Sequence, residues 1–167
     1  APGGGHDRSV AEVTGGTAPG GTGASGVEPF HQSLRRWSVA GAVLRTSTSV
    51  DAGSVLLVRN RRRDGREDWT SPGGVIEHDE VVLDGLAREV REETGLAVAR
   101  WESEPLYRVE VEAVGLGWHL EVTVFAAASW EGELCTGNDP DGLVVEGSWV
   151  DPSTCRTLLR GGDPWVR

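Results

Sequence analysis

The chain has 167 residues and a formal net charge of −10, with 38% hydrophobic and 25% charged residues. This length suits one domain with a hydrophobic core and is short for two domains. The acidic charge argues against non-specific binding to nucleic acid or to an anionic membrane, and no apolar run is long enough for a transmembrane helix.

Residues 1–33 are rich in Gly, Ser, Thr and Pro, a composition that buries too little apolar surface to offset the entropy lost on ordering. We therefore expect a flexible tail at 1–33 and a single domain at 34–167. No basic segment followed by a hydrophobic one begins the chain, so we expect no signal peptide and a cytoplasmic location. Cys135 and Cys155 lack a metal-binding spacing; two buried free thiols are the favoured interpretation, and a disulfide is the alternative.

The first strands are predicted at Trp37–Leu44 and Ser54–Arg59, which contain β-branched and small residues and could pair as a hairpin. Residues 60–68, with the sequence NRRRDGRED, follow as a charged connection. A solvated loop is the favoured interpretation of this connection. The functional alternative is an electropositive rim in which Arg62 and Arg66 draw in a phosphate chain.

A helix is predicted to begin near Val82 or Asp84 and to end at Gly95, where a left-handed C-cap suits glycine. Before the helix, Pro72 and two glycines form a tight bend that lets the backbone approach a ligand closely. One stripe of the helix recurs at helical spacing and is predicted to face the core; it comprises Leu83, Leu86, Ala87, Val90 and Thr94.

Three further strands are predicted from their apolar and β-branched patterns at Leu106–Val114, Trp118–Ala128 and Leu143–Val150. Residues 96–107 have a mixed pattern and receive no regular element, and residues 131–142 read as a polar loop. A last helix is predicted from Pro152 to Arg160, after an N-cap-like Asp151. Several strands, one central helix and a final helix indicate an α+β or α/β fold.

The predicted central helix concentrates negative charge on one face. Glu89 precedes Glu92 by three residues and Glu93 by four, so all three carboxylates can point towards one region. Like charges at these spacings destabilise an isolated helix by about 0.2–0.5 kcal/mol per pair. A hard divalent cation explains the cluster most simply, because it favours carboxylate oxygens. The alternative is an acidic, solvated helix face.

The spacing around this cluster resembles a known motif. Gly74, five residues, Glu80, seven residues and then Arg88-Glu89-Val90-Arg91-Glu92-Glu93-Thr94-Gly95-Leu96 is similar to the Nudix box at every defining position. The resemblance implies a Nudix-type α/β/α sandwich with a mixed β-sheet over roughly residues 37–160. It also implies a Nudix hydrolase that cleaves a nucleoside diphosphate linked to another group, by attack of water on phosphorus.

The resemblance also assigns the metal site. It implies that Glu89 and Glu93 are the main metal ligands, that Glu92 lies close to them, and that the Gly74 carbonyl contributes. Mg²⁺ is the expected cofactor and Mn²⁺ the alternative, and Glu92 and Glu93 are therefore expected to be catalytic.

Three other residues of the motif are expected to be structural. Arg88 would orient one of the glutamates through a bidentate pair. Glu80 would anchor the loop before the helix, with a solvated side chain as the alternative, and Gly95 would end the helix.

A general base must come from outside the helix or be one of its glutamates. Glu146 is the first candidate, Glu121 the second and Asp141 the third, and for each an exposed structural residue is the alternative. Glu121 is also a candidate for substrate binding. His119 could contact substrate, although a structural role is favoured for a single histidine on a strand.

The substrate stays open at this point, because no second signature of a known branch follows the box. The expected partner is a small nucleotide, such as an NTP, a dNTP or a nucleotide sugar, and we expect neither nucleic acid nor membrane binding. The protein is expected to be a monomer or a homodimer. One alternative is a Nudix-fold module that binds a nucleotide without cleaving it, and another is a structural domain whose acidic helix binds Ca²⁺.

Overall fold

Eight β-strands and two α-helices make up the part of the chain that a computed structural model describes, residues 34–46 and 53–160. The expected flexible tail at 1–33 lies outside the described residues. In chain order the elements are β1 (Arg35–Val43), β2 (Val55–Arg61), β3 (Glu67–Thr70), β4 (Gly73–Ile76), α1 (Val82–Thr94), β5 (Ala97–Trp101), β6 (Tyr107–Ala113), a short 3₁₀ turn (Val114–Leu116), β7 (Trp118–Glu131), β8 (Val144–Val150) and α2 (Pro152–Leu159).

The larger sheet is mixed. Its strand order is β4-β1-β7-β5, and β6 also pairs with β7. Strand β1 runs parallel to β7 and antiparallel to β4, whereas β5 and β6 are antiparallel to β7. Because β7 has 14 residues, it can pair with three strands. The predicted α/β sandwich with a mixed sheet is confirmed.

The smaller sheet has the order β3-β2-β8 and is antiparallel. The hairpin suggested for the first two strands is found only where they adjoin, because β1 and β2 belong to different sheets; there the Leu56 N–H donates to the Leu44 carbonyl at 3.1 Å. They meet at their ends through a bridge between Arg45 and Val55. Strand β1 instead pairs with β7, about 80 residues further along, and a pairing over that distance leaves no local pattern in the sequence.

The charged connection at 60–68 is shorter than predicted, because β2 extends to Arg61 and β3 begins at Glu67. Opposite charges face each other across this hairpin: Arg59 and Arg61 both pair with Glu67. Cross-strand pairs of opposite charge stabilise such strands, which explains why a highly charged segment is extended. Residues 96–107 also contain a strand that was not predicted, β5.

Helix α1 begins at Val82 and ends at Gly95, as predicted, and Gly95 has a φ of 74°. Most of its predicted apolar stripe lies in the main core, where Leu86, Val90 and Thr94 are fully buried. Ala87 does not: it is partly exposed and lines a cleft beside Arg88 and Arg91, so its assignment to the core face is wrong. Leu44, just after β1, and residues of both sheets complete this core, namely Ala40, Ala42, Leu56, Ile76 and Phe125. The helix packs against β1, β4 and β5, so its position relative to the larger sheet is fixed.

Helix α2 begins at Pro152 after the N-cap Asp151, as predicted, and the Asp151 side chain accepts hydrogen bonds from the N–H groups of Ser153 and Thr154. Both cysteines are free, as the favoured interpretation had it, but they are not both buried: Cys135 is exposed and Cys155 is partly buried. Among the described residues, no helix has the length and apolar character needed to span a membrane.

Candidate active site

Glu93 is a buried carboxylate on the face of α1 next to strand β4. Its residue exposure is 9%, and one backbone group, the Gly73 N–H, donates to its Oε2 at 2.8 Å. Burial disfavours the charged form and raises the pKa of Glu93 to about 8, against the lowering effect of the Gly73 hydrogen bond. The charges of Glu89, Asp139 and Glu92 add to the rise.

Arg88 connects the other carboxylates of this face. Its Nε and Nη2 donate to the two oxygens of Glu80, each at 3.1 Å, in a bidentate pair. Its Nη1 donates to Glu89 Oε1 at 2.7 Å and to Glu92 Oε2 at 3.2 Å. The Arg88 hydrogen bonds lower the pKa of Glu80, whereas burial raises the pKa of Glu89. One guanidinium thus holds three carboxylates in fixed positions.

The Gly73-Gly74 bend brings backbone against these carboxylates. Gly73 has a φ of 142°, and an added Cβ would collide with the Ala40 backbone on strand β1. At Gly74, an added Cβ would lie 2.7 Å from Glu89 Oε2. Position 73 therefore requires glycine, whereas a side chain at position 74 would displace the Glu89 carboxylate. The backbone of β4 thus lies beside Glu89 and Glu93 with no side chain between them.

These residues fit a divalent cation by their chemistry. Glu93 is a buried acid with little compensation for its charge, and Glu89 and Glu92 add two more carboxylates beside it. Hard cations prefer such oxygen ligands. Within residues 34–46 and 53–160, no three acidic, His or Cys side chains are already gathered as a metal cage. Instead, Glu89 and Glu92 contact Arg88 and Glu93 contacts Gly73, so the oxygens would have to turn towards a bound ion.

The connection between β7 and β8 lies against the end of α1. The Cys135 N–H donates to the Thr94 carbonyl at 2.9 Å, and a Cβ added at Gly95 would lie 3.3 Å from Cys135 Cβ. Together with α1, this connection lines a cleft at Arg88, Arg91, Glu92 and Asn138.

The same connection brings two more acids to the site. The charge of Asp139 contributes to the raised pKa of Glu93, and that of Asp141 contributes to the raised pKa of Glu89. Asp139 was not among the residues predicted from sequence. The turn-forming composition of Asp139-Pro140-Asp141-Gly142 is the signal that could have pointed to it.

The two other general-base candidates are held by arginines on their own sheets. Glu146, on β8, accepts from Arg59 Nε at 3.0 Å and from Nη2 at 2.6 Å. Glu121, on β7, pairs with Arg36. Neither carboxylate has a hydrogen bond or ion pair with α1 in the part of the chain that the structure describes.

The predicted substrate-binding arginines lie at the β2–β3 hairpin. Arg62 forms a bidentate pair with Asp68, at 2.9 and 2.7 Å. Arg66 contacts Asp64, with Nε to Oδ2 at 2.7 Å. Both guanidinium groups are thus engaged with acids of the hairpin, and their role towards a substrate stays a prediction.

His119 lies on β7 among three acids of the larger sheet. Its ring nitrogens are 3.6 Å from Glu112, 3.8 Å from Glu110 and 3.9 Å from Glu121, and its side chain is 14% exposed. These surroundings are those of a mostly buried strand residue, and the three acids belong to β6 and β7, not to α1.

A family comparison agrees with the fold and the motif. Residues 34–165 match the model of the NUDIX domain. This match covers most of the chain, and the protein therefore belongs to the Nudix family.

Among known relatives, the chain is 32% identical over 139 residues to the 8-oxo-dGDP phosphatase NUDT18 of Homo sapiens, covering 83% of this chain and 40% of that protein. It is 42% identical over 75 residues to a MutT-like protein of Streptomyces ambofaciens, covering 45% of this chain and 44% of that protein. It is 31% identical over 109 residues to the oxidized purine nucleoside triphosphate hydrolase of Danio rerio, covering 61% of this chain and 69% of that protein. The chain thus spans two fifths or less of the mammalian NUDT18 proteins that it matches.

Solved structures show the same fold. The MutT NUDIX hydrolase of Burkholderia pseudomallei matches with a TM-score of 0.57 and 26% identity, over 69% of this chain and 82% of that chain. The ORF135 protein of E. coli matches with a TM-score of 0.61 and 20% identity, over 75% of this chain and 81% of that chain. At this identity it supports the fold alone.

Proposed function

We propose that the protein hydrolyses the pyrophosphate bond of a nucleotide with the help of a divalent metal ion. The observation that carries this proposal is the buried carboxylate of Glu93, which lies with Glu89 and Glu92 beside the side-chain-free backbone of Gly73 and Gly74. A buried acid whose charge lacks a partner is typical of a functional site. The family match is consistent with this chemistry.

Glu89, Glu92, Glu93 and the Gly74 carbonyl would hold the metal ion, with Mg²⁺ as the first choice and Mn²⁺ as the alternative. When bound, such an ion neutralises phosphate charge and makes coordinated water more acidic. Arg88 keeps Glu89 and Glu92 in place through the contacts described above.

In the reaction, the oxygen of a water molecule forms a bond to one phosphorus atom, and the bond from that phosphorus to the bridging oxygen breaks. A nucleoside diphosphate then gives a monophosphate and orthophosphate, and a triphosphate gives a monophosphate and pyrophosphate. The water loses a proton to a general base. This base is either a carboxylate outside α1 or one of the glutamates of α1.

Of the three candidates for this base, Asp141 has the best support. Glu146 and Glu121 would each have to leave an arginine to take up a proton. The Asp141 carboxylate accepts no hydrogen bond and forms no ion pair among the described residues, and its charge acts on Glu89. Parallel replacement of Asp141 and Glu146 by the corresponding amides decides between them, because loss of a general base lowers kcat by about 100-fold or more.

Oxidised purine nucleotides are the first substrates to test. This choice rests on the names of two relatives, an 8-oxo-dGDP phosphatase and an oxidized purine nucleoside triphosphate hydrolase. Arg62, Arg66 and Glu121 remain candidates for substrate contacts, to be tested by their effect on KM.

The deciding experiment incubates the protein with Mg²⁺ and a panel of canonical and oxidised nucleoside di- and triphosphates, ADP-ribose, dinucleoside polyphosphates and NADH. Chromatography then identifies the products. We expect a nucleoside monophosphate from at least one oxidised purine nucleotide, and no product when the metal is chelated. Absence of turnover across the panel, or turnover that chelation leaves unchanged, would contradict the proposal.

A further inference from the structure

Strand β6 lies at an edge of the larger sheet. One of its sides pairs with β7, from Tyr107 opposite Val124 to Ala113 opposite Trp118, without a shift in register. No other strand in the described part of the chain pairs with its second side. Proteins protect such edges from further pairing with proline, a bulge or charged side chains. Strand β6 has no proline and no bulge, so its charges decide which strand its open side can accept.

Two charged side chains of β6 lack a permanent opposite charge in their own sheet. Arg108 is exposed, lies opposite Thr123 on β7 and forms no ion pair among the described residues. Glu110 is 75% exposed and lies opposite another acid, Glu121. Its carboxylate is 3.8 Å from His119 Nε2, which compensates the charge only when the histidine is protonated. Opposite charges from outside the sheet would therefore stabilise both side chains.

A second copy of β6 supplies these charges in one register. When two identical strands pair antiparallel about a two-fold axis, residues at equal distances on either side of the axis lie opposite each other. With the axis at Val109, Arg108 of each copy lies opposite Glu110 of the other. An axis at Glu110 would place the two Glu110 carboxylates together, and an axis at Val111 would place Glu110 opposite Glu112. Only the first of these three registers therefore avoids facing acids.

The apolar face of β6 fits the same register. Side chains alternate between the two faces of a strand, so Tyr107, Val109 and Val111 point away from the charged face. Val109 and Val111 pack against the smaller apolar cluster of the larger sheet, and Tyr107 is 45% exposed. With the axis at Val109, the two Val109 side chains meet and Tyr107 lies opposite Val111 of the other copy. Pairs of an aromatic and a β-branched residue stabilise antiparallel strands, so both faces are self-complementary.

We propose that β6 is the interface of a homodimer, in which two copies of the chain join their larger sheets edge to edge about a two-fold axis at Val109. The open backbone groups of the two strands would bond to each other, and Arg108 and Glu110 would form two ion pairs across the interface. The proposal uses no residue of the proposed metal site. It therefore stands or falls independently of the proposed hydrolytic activity.

Sedimentation velocity at low salt, over about 1–500 µM protein, tests for the dimer, because a single pair of strands is a small interface and predicts a micromolar Kd. The wild type should pass from monomer to dimer over this range. Hydrogen exchange of the amides at 107–113 should slow as the dimer forms. A wild type that stays monomeric, or a dimer in which exchange at 107–113 is as fast as in the monomer, would overturn the proposal.

Charge exchange between the two positions tests the register. Arg108→Glu would place acids opposite each other at two points of the interface and should raise the Kd of the dimer by at least about 10-fold. Glu110→Arg should have the same effect by placing arginines together. The double variant Arg108→Glu/Glu110→Arg restores both pairs with the signs reversed, and its Kd should return to within about threefold of the wild-type value. This recovery also separates a lost interface from a damaged fold.

Arg63→Glu is the matched control, because it makes the same change of charge at an exposed position between β2 and β3. It should leave the Kd of the dimer unchanged. A wild-type Kd in Arg108→Glu, an equal rise in Arg63→Glu, or a double variant as weak as the two single ones would overturn the pairing of Arg108 with Glu110.

Discussion

Glu93 is the residue on which the site depends most. Its carboxylate is buried against the Gly73 N–H and surrounded by other acids, which opposes ionisation. A cation-free protein must either keep Glu93 protonated or accept a buried negative charge. Either state is less favourable at neutral pH than one in which a cation compensates the carboxylate.

This environment predicts a pH-dependent stability in the absence of divalent cations. In the unfolded chain Glu93 loses its proton near the ordinary pKa of 4.5, whereas the folded protein holds it up to about 8. Between these values the folded state binds more protons, so the free energy of unfolding falls as pH rises. Glu93→Gln removes this contribution, which amounts to at most about 1.4 kcal/mol per pH unit.

Urea denaturation at several pH values between 5 and 8, with a chelator present, measures the effect. The slope of unfolding free energy against pH should be less negative in Glu93→Gln than in the wild type. Equal slopes in the two proteins would mean that Glu93 does not titrate in this range.

At the scale of elements, α1 has two faces with different tasks. Leu86 and Val90 pack in the core, and Glu89 and Glu93 face β4 and its glycine bend. Because the packed face cannot rotate, the helix backbone that carries the carboxylates is held in place before any ion binds, and only the ends of these side chains have to turn towards it. Arg88 adds a second constraint by joining Glu80, in the loop before the helix, to Glu89.

Removing Arg88 should therefore destabilise the protein. Arg88→Ala leaves Glu80 and Glu89 without their cation, and we expect a loss of about 1–3 kcal/mol in unfolding free energy. This loss of unfolding free energy is smaller than that expected for a fully buried ion pair, because the Arg88 side chain is 33% exposed and partly screened by solvent. Arg91→Ala, on the exposed side of the same helix, is the control and should change stability by less than about 0.5 kcal/mol. Similar losses in both variants would show that the Arg88 contacts are not stabilising.

The glycine bend gives a separate test. In Gly74→Ala, the new Cβ would meet Glu89 Oε2 at 2.7 Å, so the Glu89 side chain must move while the backbone can stay. A displaced ligand should lower the hydrolysis rate by about 10- to 100-fold with little change in melting temperature. Gly115→Ala, where an added Cβ meets no atom within 4 Å, should keep wild-type activity. Wild-type activity in Gly74→Ala would show that the Glu89 position seen here is not required.

Much of α1 could be predicted from sequence, because helical periodicity and the glycine C-cap are local signals. Strand β5 could not, since Ala97 and Ala99 carry little strand preference and Arg100 is polar. The pairing of β1 with β7 depends on chain contacts far apart in sequence. The Asp139 carboxylate accepts hydrogen bonds from the N–H groups of Asp141, Leu143 and Val144, and this arrangement depends on the path of the backbone, which residue identities alone do not specify.

At the scale of the molecule, both sheets and α1 share one core. Leu56 comes from the smaller sheet, Ala42 and Phe125 from the larger one, and Leu86 from the helix. The carboxylate face is therefore held by packing that extends through the whole described domain. Loss of this packing should affect the fold before it affects the chemistry of the site.

Leu86→Ala tests this dependence. Leu86 is fully buried, and truncation of such a leucine costs about 2–5 kcal/mol in unfolding free energy. Leu116→Ala is the matched control, because Leu116 is 62% exposed and should contribute little. Denaturant titration compares the two variants, and a loss below about 1 kcal/mol in Leu86→Ala would contradict the assignment of the core.

The central claim is that the acidic face of α1 is a metal-dependent hydrolytic centre. The most direct test compares the rates at which the wild type and Glu93→Gln form nucleoside monophosphate. Both are assayed with Mg²⁺ on the best substrate of the panel, after circular dichroism confirms that the variant is folded. We predict that Glu93→Gln lowers kcat/KM by at least about 100-fold. A folded Glu93→Gln protein that retains wild-type kcat/KM would contradict the claim.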